Sequence, residues 1–75
     1  MINLIDINYQ TITRQIEIYN ALHNKSPTIY LSHKTHEVLK IYFKYHGLNY
    51  LTLNSLCGSN IKFDENLPFG MINFE

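Results

Sequence analysis

His33 and His36 form an H-x-x-H pair followed at once by Glu37, and two imidazoles with a carboxylate are a donor set that zinc accepts. On a helix the pair sits on neighbouring turns. The spacing differs from the H-E-x-x-H of zinc peptidases, where histidines four apart share a face with a glutamate between them, and no sure third ligand is nearby. The three residues therefore read as a solvated polar face, and no metal or cofactor is expected. Cys57 with His23 or His46 would give a thiol–imidazole pair, but Leu56-Cys57-Gly58 matches no nucleophile motif, and a small buried cysteine is the ordinary state of such a residue. His23 and His46 fall at predicted helix C-termini, where the dipole favours a histidine. The chain has no G-x-G-x-x-G, P-loop or zinc-ribbon spacing, and Asp64, Glu65 and Glu75 lack the alternating ligands of an EF-hand. A chain of 75 residues also rarely encloses a catalytic pocket by itself. The expectation is a protein that is not an enzyme.

The elements that would position these residues are organised around Ser32–Gly47. Ser32 is an N-cap residue and Gly47 suits the left-handed position that closes a helix. At 3.6 residues per turn, Thr35, Val38, Leu39, Tyr42, Tyr45 and His46 share one side; His33, His36, Glu37, Lys40 and Lys44 share the other. Ile41 and Phe43 lie on the flanks, which widens the apolar arc beyond what a surface helix needs. One flank is therefore expected to meet something other than the protein's own core.

An earlier helix is predicted from Ile5, Tyr9, Ile12, Ile16 and Tyr19, spaced alternately four and three apart, with His23 continuing the stripe. Asp6 or Asn8 caps it, and Asn24 with Lys25-Ser26-Pro27 ends it. Met1 to Ile5 reads equally well as a short strand. Ile7 and Ile18 project near Arg14, away from the stripe, either as ordinary surface scatter or as a second contact surface. Thr28–Leu31 is predicted to be a strand feeding the capped helix, and Leu48–Leu53 a second strand, parallel to the first if the helix crosses over. After turn residues at Gly58 and again at Pro68 to Gly70, Ile61 with Phe63 and Ile72 with Phe74 alternate with polar residues as half-buried antiparallel strands do. The order α-β-α-β-β-β predicts an α+β domain over residues 1–75, with two helices packed on one face of a small sheet.

A hydrophobic content of 45% is that of a folded chain, while 75 residues give a modest core that self-association often supplements, so a homodimer is one expectation. A formal net charge of zero argues against a nucleic-acid partner that depends on phosphate neutralisation. Lys25, Lys34, Lys40 and Lys44 nonetheless cluster against Glu37 alone. No segment nears the roughly 18 apolar residues of a membrane span, and the lone Cys57 suits a reducing compartment, so a cytosolic protein with no membrane partner is expected. Six tyrosines are too many for so small a core to bury fully, so they read either as core and core-edge residues whose hydroxyls reach water or, for some of them, as interface anchors.

From Thr28 onward, TIYLS, a capped helix ending YHG, and LNYLTLNSLCGSNIKFDENLPFGMINFE resemble small proteins encoded by phages and mobile elements of AT-rich bacteria. The likeness lies in abundant Asn, Ile, Lys and Tyr and in an L-x-G-x-x-I-x-x-D-x-x-x-P-x-G ending. It implies a stoichiometric inhibitor of a host defence protein, anti-CRISPR-like, or of a replication protein; a homo-oligomeric structural or regulatory accessory is the alternative. The partner-contact residues expected from the sequence are His36, Lys40, Phe43 and Lys44 on the exposed side of the central helix, together with Ile7, Arg14 and Ile18.

Overall fold

The computed structural model describes the backbone of residues 2–3 and the chain from 8 to 75. Its elements are β1 (Ile2–Asn3), α1 (Tyr9–His23), β2 (Ile29–Leu31), α2 (His33–Tyr45), β3 (Ser55–Leu56), β4 (Ser59–Phe63) and β5 (Met71–Phe74). From α1 onward the order is the expected α-β-α-β-β-β, and the two-residue β1 precedes it. The expected positions Ile5, Asp6 and Ile7 lie outside the described residues.

Local chemistry sets the helix ends. The Asn8 side chain accepts the Thr11 N–H at 2.8 Å, and the Asn24 N–H donates to the Asn20 carbonyl at 2.7 Å from a left-handed backbone, φ 55°. Helix α2 closes with a Schellman motif. Leu48 N–H reaches the Phe43 carbonyl at 2.8 Å, Gly47 N–H reaches that of Lys44 at 3.2 Å, and Gly47 holds φ +66°.

The five strands form one mixed sheet in the order β1-β5-β2-β4-β3. Strand β2 lies at its centre, parallel to β4 with Ile29 opposite Ile61, and antiparallel to β5 with Ile29 opposite Phe74. Ile29, Leu31, Ile61 and Ile72 turn inward from these strands and meet Ile12 of α1 and Leu39 and Phe43 of α2 in one core. Alternation along the strands leaves Tyr30, Asn60 and Lys62 on the opposite face.

Two sequence expectations change. Leu48–Leu53 is not a ladder strand: it makes one isolated bridge, Leu51 to Leu56, and then turns. The cause is Thr52, whose Oγ1 accepts the N–H groups of Asn54 at 3.2 Å and Ser55 at 3.0 Å, a side-chain turn that competes with strand pairing. The crossover from β2 through α2 therefore runs on to β4, and β4 is parallel to its inner neighbour and antiparallel to β3. This longer connection suits a parallel pairing better than one ending at residue 53.

Candidate interaction surface

The N-terminal turn of α2 is held from three directions. Ser32 Oγ accepts the Thr35 N–H at 3.3 Å and lies 3.0 Å from Thr35 Oγ1, which in turn accepts the Gly70 N–H at 2.9 Å. Thr35 is fully buried, so this hydroxyl pair links the helix start to the loop entering β5 without leaving a buried polar group unpaired. From the turn after β4, Glu65 accepts the His33 N–H at 3.1 Å and pairs with His33 Nδ1. A carboxylate there meets both an orphan N–H and the positive end of the helix dipole. The His33 side-chain contact, followed by its backbone N–H, holds the Glu65 carboxyl below its ordinary pKa.

The two histidines of the H-x-x-H pair flank Phe63 and do not converge. The His33 ring stacks on it at 3.8 Å between centroids, whereas His36 meets it edge-on at 5.4 Å. His36 is 5% exposed, and its Nε2–H donates to the Thr52 carbonyl at 3.0 Å. Glu37 turns outward to Lys40 at 3.3 Å. No group of three or more His, Cys, Asp or Glu is placed to hold a metal among the described residues.

Cys57 is half-buried in the β3–β4 turn, where burial pushes its thiol up to about 11. It and Gly58 both have positive φ, 50° and 84°, as a two-residue hairpin turn demands. Among the described residues no hydrogen bond joins its sulfur to a histidine. A thiol this protonated at neutral pH is a poor nucleophile. Nearby, Tyr9 stacks on Tyr50 at 5.2 Å and donates its backbone N–H to the Tyr42 hydroxyl oxygen at 3.1 Å; desolvation, then the neighbouring Tyr50, raises the Tyr9 phenol above its ordinary pKa.

The contact residues expected from the sequence separate into inner and outer sets. Lys40 and Lys44 are exposed on α2, and Arg14 and Ile18 on α1. His36 and Phe43 were expected on the exposed side and are instead buried, so neither presents a surface for docking. The buried row of α2 is Thr35, His36, Leu39 and Phe43, rotated from the expected stripe. That rotation turns Tyr45 and Ile41 out to 85% and 68% exposure. Tyr45 and Ile41 are four residues apart and continue the row of Val38 and Lys34, with Lys44 alongside. The surface also holds a cleft between the C-terminal half of α2 and residues 48–51, and another of about 410 Å³ where the start of α1 meets the end of α2. Comparisons with protein families, curated proteins and solved structures return no match to this chain.

Proposed function

We propose that the protein is a non-enzymatic, phage-type interaction protein that inhibits a host defence component in the anti-CRISPR manner, or a host replication protein, by stoichiometric binding. The exposed pair Ile41 and Tyr45, set among Lys34, Lys40 and Lys44 on the outer side of α2, carries the reading. A large apolar side chain held in water on rigid secondary structure contributes nothing to the core and is the type of residue that anchors an interface. Arg14 and Ile18 extend the same purpose to α1. The lysines bias the choice of partner toward an acidic surface, where complementary charge speeds encounter.

The test is phage infection of a bacterium with active defence, expressing either the wild-type protein or an Ile41→Ser/Tyr45→Ser variant. Plaques restored by the wild type and lost with the variant, together with co-purification of one defence protein by the wild type alone, are expected. Equal plaque counts with wild type, variant and empty vector, with no partner recovered, overturn the reading. The homo-oligomeric accessory is favoured by a separate observation, the exposure of Ile18 and Leu22 at 46% and 75% on α1. Sedimentation that gives a monomer at all concentrations removes it.

A further inference from the structure

The cleft beside the C-terminal half of α2 encloses about 250 Å³ and is lined by Lys40, Phe43, Lys44, Leu48, Asn49 and Leu51. Its floor is apolar, with Phe43 buried and Leu48 and Leu51 half-buried. Its polar lining residues are Lys40, Lys44 and Asn49, and the only carboxylate placed against them among the described residues is Glu37, beside Lys40. Lys40 and Lys44, four residues apart, share one side of the helix. Glu37 sits 3.3 Å from Lys40, but both side chains are mostly in water, where such a pair holds weakly and yields to a competing carboxylate. Lys44 has no ion-pair partner among the described residues.

A helix C-terminus ordinarily repels anions through its free carbonyls. Here those nearest the cleft are occupied: Tyr42 by the His46 N–H at 3.1 Å, Phe43 by Leu48 at 2.8 Å and Lys44 by Gly47 at 3.2 Å. Size and shape then bear on the class of occupant. Pockets that hold a cofactor or drug-sized ligand run from about 300 to 1,000 Å³. This one is an open cleft near the lower end of that range, and its open shape admits side chains presented from a partner's surface. A nucleic-acid strand is a poorer match, because two cations on a neutral protein neutralise little of a continuous phosphate backbone.

We propose that the cleft is an anchoring site for an acidic segment of a protein partner, taking a carboxylate side chain next to an aliphatic or aromatic one. The carboxylate lies between Lys40 and Lys44 with the Asn49 amide beside it, and the apolar neighbour covers Leu48 and Leu51, above the buried Phe43. This rests on the binding reading above and adds the partner's chemistry to it.

The full chain, labelled with ¹⁵N, is titrated with the blocked peptide acetyl-Glu-Leu-Glu-Phe-amide and with its Gln-for-Glu counterpart. Saturable shifts at the amides of Lys44, Leu48, Asn49 and Leu51 are expected from the acidic peptide, at least about tenfold weaker from the neutral one, and weakened by added salt. A Lys40→Gln/Lys44→Gln variant with an otherwise unchanged spectrum loses the response. Equal binding of the two peptides, shifts that map elsewhere, undiminished binding by the double variant, or the same shifts from inorganic phosphate alone each overturn the proposal. In the infection assay, a Lys40→Gln/Lys44→Gln variant that still inhibits while Ile41→Ser/Tyr45→Ser does not removes the cleft and leaves the binding reading intact. Failure of the wild-type protein in that assay removes the reading itself.

Discussion

Glu65 illustrates how a single exposed residue acquires a role through placement. Its carboxyl is held below its ordinary pKa by the His33 side chain first and the His33 N–H second. A lowered folded-state pKa contributes stability that is fully present above the unfolded-state value, about 4.3 for a glutamate, and is lost as pH falls through the lower folded value. Thermal unfolding between neutral pH and about pH 3 is therefore expected to show a wild-type advantage over Glu65→Gln that narrows as the carboxyl protonates. A constant gap across that range contradicts this role. Cys57 provides the opposite case. With its thiol near 11 rather than 9.0, about a hundredfold less thiolate is present at neutral pH than for an unperturbed group. Its alkylation in the folded protein should be correspondingly slow and rise about tenfold per pH unit up to that value, as rates measured between pH 7 and 10 will show.

At the scale of elements, α2 depends on its N-terminal attachments as much as on its apolar face. Thr35→Val keeps the shape of the side chain but strips the Gly70 N–H of its acceptor and the Ser32 hydroxyl of its side-chain contact, leaving Ser32 Oγ only the backbone N–H of residue 35. An unpaired buried group of this kind costs about 1–3 kcal/mol, so urea denaturation should show that loss with an unchanged slope. Ser32→Ala removes the cap on the Thr35 N–H and the hydroxyl contact but leaves the Gly70 bond, and costs about 1 kcal/mol. The two losses share one network, and the double variant should fall short of their sum. Full additivity would mean that the hydroxyls act independently.

Across the whole molecule, one sheet with both helices on a single face divides α2 into a side that packs in the core and a side left in water. Leu39→Ala should cost about 2–5 kcal/mol, because Leu39 is fully buried in the shared core. Ile41→Ser, two positions away, should stay within about 0.5 kcal/mol of wild type in the same denaturation experiment. Equal losses would put Ile41 in the core. The sequence by itself determined where α2 begins and ends, where α1 stops and that the chain is α+β. Ser32, Gly47, Asn24 and Pro27 act on their immediate neighbours, and the apolar spacing of α1 needs no partner to be read. Only the tertiary structure decided that His36 and Phe43 face inward while Ile41 and Tyr45 face out. The residues of a wide apolar arc differ by about 100° per position, and several rotations satisfy the same pattern. The choice falls to the sheet, through Ile29, Leu31 and Ile61 against Leu39 and Phe43, and to Thr52, whose carbonyl gives the buried His36 its partner. Glu65 is likewise silent in the sequence, 32 positions from the helix start that it caps. Local chemistry set the elements, and long-range packing assigned their faces.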